Sequence, residues 1–170
     1  MNDIPDDLDS ETQVLDRSDP PHDQLRLWLR LLTCTSLVEA EIRTRLRESF
    51  DVTLPRFDLM AQLDRAPEGM TLSDLSKRMM VTNGNVTGLV ARLVGSGYLE
   101  RWTSASDRRV QYIRLTPAGR AEFRKMASRH ERWIEDMFAG LRKEEIRSVL
   151  KLLGKVKESA RTAVRRRLGS

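Results

Sequence analysis

Cysteine is almost missing from this 170-residue chain: Cys34 stands alone, which excludes an internal disulfide framework. Aromatic residues are scarce at 5%, and no apolar run approaches the ~20 residues that a membrane-spanning helix needs. The amino terminus lacks the apolar segment of a signal peptide, so a cytoplasmic protein without a membrane partner is expected. Chemistry-bearing motifs are missing too. There is no Gly-rich phosphate loop, no nucleophile elbow and no short-spaced His-Glu or His-Asp motif of a known catalytic pattern. The two histidines, His22 and His130, and Cys34 are too far apart in sequence to suggest a metal site. Neither an enzyme nor a bound cofactor or metal is expected.

What is present is charge and helical periodicity. Charged residues make up 32% of the chain and the net charge is +5. Residues 1–20 hold seven acids against one base, Arg17, so the remainder carries +11. An acidic, apolar-poor segment predicts a disordered tail over 1–20. A folded part this basic suits a polyanion, with nucleic acid foremost.

From Asp23 to about Phe50, apolar residues such as Leu25, Leu29, Leu32, Ile42 and Leu46 recur at helical steps between arginines. Pro55 suits the first turn of a second helix, through about Arg65. Thr71 caps a short helix with Leu72, Leu75 and Met79, and Asp74 adds negative charge to its first turn. Thr82 or Asn83 caps the next helix, which holds Val86, Leu89, Val90 and Leu93 and ends near Gly95-Ser96-Gly97. Two short helices joined by about four residues make a helix-turn-helix. The period then changes, and 98–103 and 110–115 read as two strands around a polar loop. Thr116-Pro117 opens another helix, and a last one runs from about Lys143. The expected fold is mainly α with a small β-wing, a winged helix-turn-helix. Its parts are a tail (1–20), an N-terminal dimerisation helix (21–54), a DNA-binding lobe (55–116) and C-terminal dimerisation helices (117–170).

The second helix of such a motif fits the major groove. Away from its apolar stripe it offers Thr82, Asn83, Asn85, Thr87 and Arg92. Asn pairs with adenine edges, and Thr bonds bases or phosphates or touches thymine methyls. Gly84 and Gly88 each cost about 1 kcal/mol of helix stability relative to alanine, as close backbone approach to DNA would justify. In the wing loop, Arg108 and Arg109 suit a minor groove, with Asp107 bracing Arg109 through a salt bridge. A helix that merely tolerates glycines, and a solvated surface turn, are the simpler alternatives.

The stretches Leu72–Arg78, Val86–Leu93, Gly97–Arg101 and Ser106-Asp107-Arg108-Arg109, followed by Leu115-Thr116-Pro117-Ala118-Gly119, resemble the MarR family of transcriptional regulators over about residues 22–163. The resemblance implies a homodimer clasped by its first and last two helices, bound to a double-stranded operator. Repression is the family default. The family often carries a basic or polar residue where this chain has Gly88. It also implies a small aromatic effector held between the dimer helices and the lobe. Leu25–Thr35 is similar to a subgroup that senses hydroxycinnamoyl-CoA thioesters such as p-coumaroyl-CoA or feruloyl-CoA. An aryl thioester suits an apolar slot and CoA phosphates suit arginines. Trp28, Cys34, Phe57 and Met60 are the slot candidates, and Arg26, Arg30, Arg43 and Arg47 the phosphate candidates. The same side chains also read as ordinary core and solvated helix face. Alternatives are a free phenolic acid as effector, or oxidation of Cys34, which its apolar sequence neighbours Leu31, Leu32 and Leu37 make a better candidate for a small core residue. A non-specific DNA-packaging protein is the remaining basic alternative.

Overall fold

The computed structural model describes residues 23–104, 107 and 109–169, and the expected acidic tail lies outside them. Its elements are α1 (Asp23–Phe50), α2 (Leu54–Asp64), β1 (Met70–Thr71), α3 (Leu72–Met79), α4 (Asn83–Gly95), β2 (Leu99–Thr103), β3 (Gln111–Leu115), α5 (Pro117–Met137) and α6 (Lys143–Leu168). This is a mainly α fold with a small three-stranded antiparallel wing and long helices at both ends. The sheet order is β1-β3-β2, one strand more than the two read from the sequence. Among the described residues, no helix is long and apolar enough to cross a membrane.

The chain divides into two compact units, one running through His130 and the other from Glu131. In the first, α2 and the helix-turn-helix close over a core that includes Leu59, Met60, Leu63, Leu75, Val86 and Ile113, all with almost no exposure. Burying side chains of this size is worth roughly 1.5–3 kcal/mol each relative to exposure. Leu46, near the end of α1, is fully buried as well. Phe57 lies against Phe123 (ring centroids 5.5 Å) and His130 (4.9 Å), so the first half of α5 packs with the lobe. Arg120 joins Asp64 across the same seam at 3.0 Å.

The entry to α5 is fastened to the base of the wing. Thr116 Oγ1 donates to the Gly97 carbonyl (2.8 Å) and accepts from the Gly119 amide (3.0 Å), while the Thr116 amide donates to the Tyr98 carbonyl (3.0 Å). A Cβ added to Gly119 would stand 2.0 Å from the Tyr98 carbonyl oxygen, so the helix approaches the strand this closely only through glycine. The wing is stiffened on one face. Trp102 stacks on Tyr112 at 5.7 Å, Arg114 lies over the Trp102 ring at 5.1 Å, and Arg114 pairs with Glu100 directly across the strands.

In the second unit, α6 runs 26 residues without one buried side chain, and Val149, Leu150, Leu153 and Val164 are exposed along it. Glu145 accepts from the Arg142 amide at 2.8 Å at its start, and Arg165, Arg166 and Arg167 occupy its last turn, where they complement the helix dipole.

Candidate nucleic-acid interface

Thr71 starts α3 as a capping residue, its Oγ1 accepting from the Asp74 amide at 3.1 Å. Leu75 and Ser76 face inward, and the turn Met80-Val81 leads to Thr82. Thr82 sits at the N-cap of α4 in extended backbone, but its side chain makes no capping bond. A helix start that its own N-cap side chain does not bond suits an outside acceptor, as at helix ends that hold phosphate.

Val86, Val90 and Leu93 are buried on the inner face of α4, which turns Gly84, Asn85, Thr87, Gly88 and Arg92 outward. Asn83 opens the helix. A Cβ at Gly84 would meet nothing within 4 Å, and one at Gly88 would meet only Arg92 Nη2 at 4.0 Å. Packing among the described residues thus requires neither glycine. The Arg92 guanidinium lies back along the helix, its Nε donating to the Gly88 carbonyl at 3.2 Å.

At the wing tip, Asp107 Oδ1 accepts from the Arg109 backbone amide at 2.9 Å, and the Asp107 carbonyl accepts from the Val110 amide at 3.0 Å. Asp107 was expected to brace the Arg109 guanidinium. The contact seen here is a side-chain-to-backbone turn instead, which shapes the loop and leaves Arg109 exposed. Arg108 lies outside the described residues.

The effector candidates fall into separate groups. Arg26 and Arg30 stand one turn apart on α1 and, with Asp23 and Leu27, line a cleft of about 290 Å³. Arg26 pairs with Asp23 at 3.8 Å, and its Nε is buried without a hydrogen-bond partner. Trp28 is 58% exposed, and Cys34 is exposed too, so neither is core within one chain. Arg43 and Arg47 lie on the same helix about 20 Å beyond Arg30, from the helical rise, paired at 3.8 Å with Glu39 and Asp51. Phe57 and Met60 are buried in the lobe core, with Met60 wholly enclosed. The fold gathers Arg26 and Arg30, and does not bring Phe57 and Met60 onto a surface slot beside them. Among the described residues, no three His, Cys, Asp or Glu side chains converge as metal ligands do.

Sequence reasoning missed two positions here. Met80 is 93% exposed in left-handed backbone, signalled only by its place between two short helices. Gly119 was visible as part of a motif, but its contact with Tyr98 is set by tertiary structure.

A model of the MarR family matches residues 52–110, which hold α2, the helix-turn-helix and most of the wing. FabT of Streptococcus pneumoniae, solved in complex with DNA, is 30% identical with a TM-score of 0.68, and the match covers 83% of this chain and 99% of that one. A MarR family transcriptional regulator from Silicibacter pomeroyi is 33% identical with a TM-score of 0.71, covering 85% and 99%. The transcriptional activatory protein BadR of Rhodopseudomonas palustris is 30% identical over 97 residues, which span 56% of this chain and 55% of BadR.

Proposed function

The chain belongs to the MarR family of DNA-binding transcriptional regulators, and from that premise we propose that it is a homodimeric repressor of a pseudo-palindromic operator, released by an aromatic acyl-CoA. The observation that carries the DNA reading is the outer face of α4. It offers Thr82, Asn85 and Thr87 beside two glycines that internal packing does not need. Side chains of these types read base edges in a major groove, and missing side chains let the helix backbone come close to a duplex. The wing adds Arg109 at a second point of contact, where a narrow minor groove concentrates negative potential. FabT, the relative solved on DNA, shares this fold along 99% of its length. The exposed apolar stripe of α6 supports a dimer, because a second copy would take its leucines out of water.

The acyl-CoA reading rests on Arg26 and Arg30 around one cleft, with Trp28 between them in sequence and exposed. A free aryl acid brings one carboxylate, whereas CoA phosphates engage guanidinium groups in charge-assisted, bidentate fashion. Such a ligand would release DNA by binding the free form more tightly than the bound form, typically by 1–3 kcal/mol of coupling.

Footprinting on sites selected from random duplexes tests the first part. Protection of two half-sites about 10 bp apart is expected, and a single half-site held by a monomer would defeat the dimer reading. Calorimetry with p-coumaroyl-CoA and p-coumarate tests the second. Arg26→Ala and Arg30→Ala should each weaken the thioester far more than the operator. Equal affinity for acid and thioester, or two variants that respond like wild type, would sink the acyl-CoA reading and leave DNA binding standing.

A further inference from the structure

Both helices of the helix-turn-helix end in the same backbone device. At the end of α4, the Gly97 amide donates to the Val94 carbonyl (2.9 Å) and the Tyr98 amide to the Leu93 carbonyl (3.0 Å). At the end of α3, the Met80 amide donates to the Lys77 carbonyl (3.3 Å) and the Val81 amide to the Ser76 carbonyl (3.2 Å). This pair of bonds requires left-handed backbone at its fifth residue, which is ordinarily glycine. Gly97 meets the requirement at φ 76°, where a side chain is not needed. Met80 meets it at φ 55°, ψ 35°, with a Cβ crowded against its own backbone.

Among the described residues, no contact compensates for that cost. Met80 is 93% exposed, so its long apolar side chain gains no burial, and Val81 beside it is 39% exposed. A strained residue that could be glycine, carrying a large side chain the core does not use, points to a partner outside the chain. The partner is indicated by position. Met80 and Val81 directly precede Thr82, Gly84 and Asn85, the exposed start of α4.

We propose that Met80, together with Val81, is an apolar DNA contact that packs on hydrocarbon of the duplex where α4 enters the groove. This rests on the DNA reading above. The hydrocarbon is a thymine methyl or the edge of a deoxyribose, chemically equivalent surfaces for a thioether side chain.

The test uses the full chain, the best site selected from random duplexes, and Met80→Gly, Met80→Ala and Met80→Leu beside Asn85→Ala and Arg109→Ala. Met80→Gly separates fold from function: it should raise the unfolding midpoint by relieving the backbone, yet bind the site about tenfold more weakly. Met80→Ala should bind as weakly without gaining stability, and Met80→Leu should bind like wild type. Replacing thymines by uracil one at a time distinguishes the two surfaces. One position that weakens wild type but not Met80→Gly identifies a methyl, and a loss in Met80→Gly that no uracil reproduces identifies the sugar. If Met80→Gly binds like wild type while Asn85→Ala and Arg109→Ala bind weakly, the inference fails and the DNA reading stands. A shift in dimerisation instead of DNA affinity would assign Met80 to a second copy and overturn it. If no variant changes binding, the DNA reading falls and this inference with it.

Discussion

Replacing Gly119 by alanine tests how the wing is tied to the rest of the protein. In a helix interior such a change favours folding by about 1 kcal/mol, an upper bound for Gly119 in the first turn of α5. The structure reverses the sign. The new Cβ would stand 2.0 Å from the Tyr98 carbonyl oxygen, 2.8 Å from its carbon and 3.0 Å from its Cα, all backbone atoms without another rotamer to adopt. Restoring ordinary contact requires a separation of more than 1 Å. That stretches the Thr116 Oγ1 bond to Gly97 (2.8 Å) and the Thr116 amide bond to Tyr98 (3.0 Å) beyond hydrogen-bonding range. Overpacking of this kind costs ~1–3 kcal/mol and each lost bond ~1 kcal/mol. Less the gain in helix propensity, the net loss is about 2–4 kcal/mol. At ~2–4 °C per kcal/mol for a chain of this size, the midpoint should fall by roughly 4–16 °C. Thermal unfolding at one fixed protein concentration measures it, with Gly84→Ala and Gly88→Ala as controls. The controls have open space around the new methyl and should be neutral or stabilised. A Gly119→Ala protein as stable as wild type, or controls destabilised equally, would rule out the Tyr98 contact as the constraint on this position.

Arg109→Ala should weaken operator binding and lower the slope of log affinity against log salt by about one unit, if the side chain meets a phosphate. Titration at several salt concentrations reads this, and an unchanged slope together with unchanged affinity would reduce the wing tip to a surface turn. His130 lies against Phe57, and burial holds its imidazole below the ordinary value of 6.5. Near pH 6 the unfolded chain therefore binds more protons than the native one, so stability is full above about 6.5 and declines as the pH falls through the lowered value. His130→Leu should flatten that acid-side decline in denaturant titrations at pH 7.5 and 5.5, and an unchanged decline would place its cause elsewhere.

Elements with a long period or a definite cap were legible in the sequence. The helical pattern read to about Phe50 agrees with the end of α1, and Thr71 and Thr82 stand at the two N-caps. β1 was not legible, because two residues carry no alternation and it exists only by pairing Met70 with Ile113 and Thr71 with Tyr112. Burial on α1 was misjudged for a related reason. Periodicity says which residues share a face but not whether anything in the same chain covers it, so Cys34 reads as core and is exposed. At the interface, residue types suggested the outer face of α4, while the role of Asp107 depended on loop geometry that its sequence neighbours do not dictate. Met80 escaped notice because a turn residue's φ is not written in its side chain.

The clamp at Thr116 has a mechanical consequence. A single residue separates the end of β3 from the start of α5, and the bonds around it leave no slack between them. The five-residue strands β2 and β3 extend about 17 Å from that point, from the rise of a strand. They form a short arm on the shaft of the helix. Tilting the entry of α5 by ~10° sweeps the far end of the arm through ~3 Å, about the length of a hydrogen bond. A sub-ångström adjustment of packing at the helix can thus be geared up into the making or breaking of a contact at Arg109. The glycine that admits no methyl group is the rivet that keeps this gearing stiff.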